Sequence, residues 1–246
     1  MVAEALAKNG YVVFPFDPDL AVWAKAAAAR AERVLAEATE FRHGGTWFVG
    51  VDALPNMPDG SIDGVPLAGA WRGHVAMPDQ WHRAQLSVVF PGYPRQDADE
   101  SDAAHRFRRQ RDAAHVDGLL PEGPLRRRHL REPHSFILGL PLNEAEASPL
   151  VVYPESHRII GRAFAQAFDG VPVEDWGDVD ITDVYQSARR EVFATCARVE
   201  VAAKPGQATL LHRHLLHGVA PWDPLCEAQQ RMVAYFRPIG SFAQWL

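Results

Sequence analysis

His115-Val116-Asp117 sets an imidazole and a carboxylate two residues apart. In an extended strand those side chains point to the same face, so both can reach one metal ion. Gly118 follows and lets the chain leave the strand without a side-chain clash. A His-x-Asp tripeptide also arises by chance, as a surface His beside a solvated Asp. A third donor changes the weighing. His217 lies inside the apolar run Leu215-Leu216-His217-Gly218-Val219-Ala220, where an unpartnered imidazole is costly to bury. Two imidazoles and one carboxylate, with three positions left open, are the donor set of non-haem iron(II) oxygenases. Arg231 opens the run 231–237, whose alternation puts Arg231, Val233, Tyr235 and Arg237 on one face. A guanidinium facing the interior of a β-rich domain calls for an anion, and its fork suits a carboxylate. The bland alternative is a strand-end Arg reaching out to water. His212 and His214 flank a polar turn and are expected in solvent. His157, in a Ser-His-Arg turn, is expected to be structural.

These residues need elements to position them. Residues 10–16 are β-branched and aromatic and predict a strand. Asp17-Pro18-Asp19 supplies an N-cap for a helix, and Leu20, Trp23, Ala27, Ala31, Val34 and Leu35 recur at helical spacing toward Phe41. Residues 42–73 predict irregular structure with brief strands, and 97–102 an acidic loop. Strands are predicted over 85–90, 135–142, 150–153, 208–211, 215–220 and 231–237. The insertion 159–195 predicts helices over 161–168 and 182–193 and is expected to be a lid over the substrate. One domain over 1–246 is expected, with helical support in about 1–80 and a β core in about 81–240.

The chain has 246 residues, 47% hydrophobic and 23% charged, with 25 Lys+Arg against 31 Asp+Glu and a net charge of −6. That balance argues against disorder and against a nucleic-acid binder. No apolar run approaches the roughly 20 residues of a membrane helix. The start carries no basic segment before an apolar core, and Cys196 and Cys226 cannot build a disulfide framework, so a cytoplasmic protein is expected. Arg106, Arg108, Arg109 and Arg111, with Arg126, Arg127, Arg128 and Arg131, bracket the His-x-Asp pair. They read either as a solvated basic surface or as a field that steers an anionic small-molecule substrate.

The sequence resembles the phytanoyl-CoA dioxygenase-like family of iron(II)/2-oxoglutarate-dependent oxygenases over most of its length. Gly-Tyr-Val-Val-Phe-Pro-Phe before a helix is similar to the family's start. His115-Val116-Asp117 is similar to its His-x-Asp motif, and residues 149–158 to its Pro-Gly-Ser-His segment, with Glu155 in place of Gly. His217-Gly218-Val219-Ala220-Pro221 is similar to the distal-His segment, and Arg231 to the co-substrate arginine. The gap from His217 to Arg231 is longer than the family's, so Arg237 stays a second candidate. The resemblance implies a mainly β fold with flanking helices, a double-stranded β-helix or jelly-roll barrel of cupin type. It implies Fe(II) held by His115, Asp117 and His217, with 2-oxoglutarate and O2 as co-substrates. Arg231 would bind the distal carboxylate, and a small molecule would be hydroxylated with release of succinate and CO2. Halogenases of this family lack the carboxylate that Asp117 would supply. The alternatives are a jelly roll that binds metal or ligand without turnover, and a cupin-like isomerase. Oligomeric state and substrate identity are not legible.

Overall fold

Leu20, Trp23, Ala24, Ala27 and Ala31 share one helix face, and the structure buries all five. The computed structural model describes residues 1–246. Asp17 caps α2 (Pro18–Ala36), its Oδ1 accepting from the backbone N–H groups of Asp19 and Leu20. Before it stand α1 (Val2–Asn9) and β1 (Tyr11–Phe14). The sequence did not mark α1, and α2 ends at Ala36, short of the expected Phe41. Trp23 donates its indole N–H to the Gly60 carbonyl at 2.9 Å, so the helix also pins the irregular segment beneath it.

Alternation then decides which side of each strand is covered. A six-stranded antiparallel sheet runs in the order β1, β9 (Ala208–His212), β6 (Phe136–Pro141), β11 (Arg231–Phe236), β3 (Gln85–Val89) and β2 (Trp47–Gly50). Met232, Ala234 and Phe236 of β11 pack outward with Trp23, Trp71 and Trp81 under the N-terminal layer. Val233 and Tyr235 face the opposite way, into an apolar layer shared with Leu150, Val152 and Leu211. That layer separates the large sheet from a smaller one, ordered β10 (His217–Val219), β7 (Leu150–Val152) and β8 (Val199–Val201). Residues 112–117 extend the smaller sheet through a single antiparallel bridge, His115 to His217. Strand after strand crosses from one sheet to the other, the path of a jelly roll. The expected fold class is the observed one.

β4 (Leu119–Glu122) and β5 (Arg127–Leu130) form a separate hairpin, and α3 (Asp102–Gln110) follows the acidic loop. No helix is long and apolar enough to cross a membrane. Where the sequence suggests a lid, α4 (Ser156–Ala167) and α5 (Thr182–Thr195) form a packed layer outside the smaller sheet. Ile160, Phe164, Tyr185, Ala188 and Val192 are buried there with Ala114, Val116 and Leu216. Each large apolar side chain so buried contributes about 1.5–3 kcal/mol. Glu155, just before α4, has φ 68°, a left-handed backbone that favours Gly.

The same layer corrects the expectation for His212 and His214. His214 is buried with its ring 4.4 Å from that of Trp245, and His212 lies 4.9 Å from His157. The polar turn signal was overridden by tertiary cover from α4 and the C-terminus.

Two outcomes follow from this packing. Amide exchange in 160–164 and 188–192 should be as slow as in Phe136–Pro141, where a lid would exchange faster. Burial, reinforced by His157 and Arg213, pushes His212 down to about 4, and burial pushes His214 well below its ordinary value. Below about pH 6.5 the unfolded chain takes up these protons before the folded one does. Denaturant stability should therefore be level above pH 7 and fall from pH 6.5 toward 4, less steeply in His212→Gln.

Candidate metal centre

His115 and His217 exchange both backbone hydrogen bonds, at 2.8 and 3.1 Å, which sets their rings 5.1 Å apart. Each Nδ1 lies against a backbone carbonyl two residues back, Ala113 at 3.0 Å and Leu215 at 2.9 Å. A carbonyl only accepts, so the proton belongs on Nδ1 and the Nε2 lone pair is free. Both Nε2 atoms face Asp117: His115 Nε2 is 3.1 Å from Oδ1 and His217 Nε2 is 3.6 Å from Oδ2. One donor atom from each residue falls within 4.8 Å of the others. The three residues that the sequence picked out are brought together. His115 is half exposed, at 48% of its side chain, while Asp117 and His217 stand at 11% and 7%.

Arg237 completes the cluster. Its Nε donates to Asp117 Oδ2 at 2.5 Å and its Nη1 to Gln85 Oε1 at 2.7 Å. Its backbone is held too, the N–H by His82 Nε2 at 2.7 Å and the carbonyl by His134 Nδ1 at 3.1 Å. Burial raises the Asp117 carboxyl, but the Arg237 guanidinium against it outweighs that and holds it well below the usual carboxylate range. Asp117 is therefore an anion with one oxygen occupied and the other turned to His115. That is the state a monodentate metal ligand needs. The donor set and its orientation fit a divalent ion with an open side.

Arg231 stands at the other end of the same strand face, about 20 Å along the backbone from Arg237. It is 9% exposed and its Nη1 is buried without a hydrogen-bond partner. The cavity beside it is lined by Asn143, Thr209, Val233 and Tyr235 among others, and not by the three donors. The two arginines that the sequence left open thus differ: one is committed to a donor carboxylate, the other is bare.

The strand that carries His115 is itself tightly held, by residues the sequence did not single out. α5 grips its outer edge, Arg189 Nη2 donating to the Ala114 carbonyl at 2.8 Å and the Tyr185 hydroxyl accepting from Val116 N–H at 2.8 Å. Asp112 is 1% exposed, receives Arg198 at 2.7 and 2.8 Å, and accepts from the Tyr153 hydroxyl at 3.2 Å. Asp112 and Ala113 both have positive φ, 55° and 51°, a strained pair that these contacts keep in place. Gly218 must be Gly, because a Cβ there would lie 2.1 Å from the Asp112 carbonyl oxygen. Such anchors come from distant segments, so no local motif marks them.

No family model and no curated protein matches the chain. Among solved structures, the non-heme alpha-ketoglutarate-dependent carbocyclase SnoK from nogalamycin biosynthesis matches with a TM-score of 0.53 at 16% identity, over 96% of this chain and 82% of that one. EctD from S. alaskensis with bound Fe gives 0.46 at 18%, covering 96% and 74%. AviO1 from Streptomyces viridochromogenes Tue57 gives 0.47 at 14%, covering 98% and 95%. The match to SnoK shows the fold. The chain has the jelly-roll architecture found in a 2-oxoglutarate-dependent non-haem iron enzyme.

Asp112→Asn tests the anchoring. It keeps the shape but removes the charge that Arg198 and the strained turn depend on. Because Arg198 is partly exposed, the loss should be about 1–3 kcal/mol in denaturant unfolding. Metal affinity should fall with it, since His115 is the donor attached to that turn. Unchanged stability and affinity together would remove the anchoring role.

Proposed function

We propose that the protein is an iron(II)- and 2-oxoglutarate-dependent dioxygenase that hydroxylates a small molecule, releasing succinate and CO2. His115, Asp117 and His217 are the metal ligands, and Arg231 receives the distal carboxylate of 2-oxoglutarate. One observation carries this reading: a buried guanidinium with an unsatisfied Nη1 faces the interior of the barrel that gathers the three donors. A buried cation without a counter-charge is costly, and a dicarboxylate co-substrate supplies the missing partner. SnoK, which shares the fold, depends on alpha-ketoglutarate.

Iron(II) bound there would supply the redox chemistry, coupling decarboxylation of 2-oxoglutarate by O2 to attack on a substrate C–H bond. The rest falls to the chain's own residues. His115 and His217 present neutral Nε2 atoms because their Nδ1 protons are held by carbonyls. Arg237 keeps Asp117 ionised and occupies one of its oxygens, so that Asp117 would offer a metal ion a single oxygen. Val233 and Tyr235, between the two arginines on β11, line the cavity beside Arg231 and would shield a bound co-substrate from water. The half-exposed face of His115 is the side from which a substrate approaches.

Titration calorimetry on the metal-loaded protein, with succinate measured under O2, tests the assignment. A bidentate charged pair in a dry site is worth about 1.5–3 kcal/mol, so Arg231→Ala should weaken 2-oxoglutarate binding by about tenfold or more. Arg231→Lys should fall between, keeping charge but losing the fork. Neither should alter metal affinity. Arg237→Ala should instead weaken metal binding by about 10–100-fold, as loss of an outer partner does. Asp117→Ala should abolish both iron binding and succinate release. If Arg237→Ala raises the 2-oxoglutarate Kd while Arg231→Ala does not, the two roles are exchanged. If the parent neither binds 2-oxoglutarate nor makes succinate, the barrel is a non-redox binder.

A further inference from the structure

A second cluster of metal-binding side chains lies away from the first, where two loops meet at the edge of the large sheet. A ring nitrogen of His43, one oxygen of Asp97 and one oxygen of Glu100 fall within 4.8 Å of one another. His43 lies in the turn before β2, while Asp97 and Glu100 lie in the loop before α3. Asp97 holds the His43 turn directly: it accepts from the backbone N–H of His43 at 3.2 Å and of Gly44 at 2.6 Å, and meets His43 Nδ1 at 3.2 Å. Glu100 is used on one side only. Its Oε1 takes two hydrogen bonds from Arg108, at 2.7 and 3.1 Å. Its Oε2 is buried with no partner, and the nearest group is His105 Nδ1 at 3.5 Å, also buried and unpartnered.

A turn lock made of His43 and Asp97 explains the contacts of Asp97. It does not explain why Glu100, 8% exposed, leaves an anionic oxygen bare beside two imidazoles, one of them 7% exposed. A buried carboxylate oxygen without a donor is costly. The arrangement resembles that of Asp117, in which an arginine occupies one oxygen and the other is turned toward the Nε2 of His115. Two carboxylates face one guanidinium here, so the cluster retains negative charge for a cation.

We propose that His43, Asp97 and Glu100 bind a second divalent ion, that the ion is zinc, and that His105, whose Nδ1 is 3.5 Å from Glu100 Oε2, moves in as the fourth donor. Two imidazoles and two carboxylates on four positions suit tetrahedral Zn2+, with no open side for chemistry. The ion is structural. It ties the turn 42–46 to the loop 95–102 and to α3, and it backs the aromatic wall of the barrel. The His43 ring stacks on Trp47 at 5.4 Å and meets the edge of Tyr93 at 5.9 Å. Trp47 in turn donates to Ser87 of β3 at 2.9 Å.

Metal analysis and zinc titration of the chelator-stripped full chain test the proposal independently of any turnover. The parent should bind two Zn2+ per chain and Asp117→Ala one. Adding Glu100→Gln or His43→Gln to Asp117→Ala should remove that remaining ion, weakening it by more than the roughly 10–100-fold that loss of an outer partner costs. His105→Asn should weaken it without abolishing it. Circular dichroism of the metal-free variants checks that they fold; should one fail, the other carries the comparison. A remaining ion that survives both substitutions, or an Asp117→Ala chain that binds none, overturns the site.

Discussion

The hydrogen-bonded pair between His115 and His217 is the contact on which the centre depends. It is the only bridge joining residues 112–117 to the smaller sheet, yet it sets the spacing of two imidazoles and, through the alternation of the strand, the side on which Asp117 emerges. With the Val219 N–H donating to the Asp112 carbonyl at 3.0 Å, three backbone bonds hold the segment there, few for a strand. The structure adds what a longer ladder would have supplied: Asp112 buried in its ion pair, Gly218 admitting the Asp112 carbonyl, and α5 holding Ala114 and Val116 from the outer edge. The helical layer is thus part of the site's construction, and its apolar core explains why it cannot be loosened without cost to the strand it supports.

Charge is distributed with similar economy. Each of the two clusters that could hold a metal ion contains a carboxylate whose one oxygen is engaged by arginine, Asp117 by Arg237 and Glu100 by Arg108. The arginine lowers the energy of the anion in a dry place and fixes its orientation, and it leaves a single lone-pair direction for an ion. Arg231 is the converse case, a guanidinium whose buried Nη1 has no hydrogen-bond partner in the chain.

Much of this was legible in the residues, for identifiable reasons. β6 and most of β11 announced themselves because they are apolar runs flanked by turn residues, and α2 because Asp17 caps a long amphipathic stretch. The donors were legible because His-x-Asp spacing and an apolar-strand His are local signals. What was missed is short or assembled at a distance. β8 has three residues, α1 and α3 lack a buried stripe, and the β4–β5 hairpin carries Pro and Arg where strands seldom do. His212 and His214 look polar in sequence and are covered only by α4 and Trp245. The His43 cluster draws on segments more than 50 residues apart, and no spacing rule spans that.

The uneven exposure of the three donors has a kinetic side. Asp117 and His217 are enclosed and oriented by neighbours, whereas nearly half of the His115 side chain meets water. An arriving ion would find two donors already in place and exchange its last protein-bound water for the third. Departure would begin at the same imidazole. The rate at which such a centre would fill and empty is then set largely by the freedom of one surface ring, while all three donors would set how tightly the ion is held.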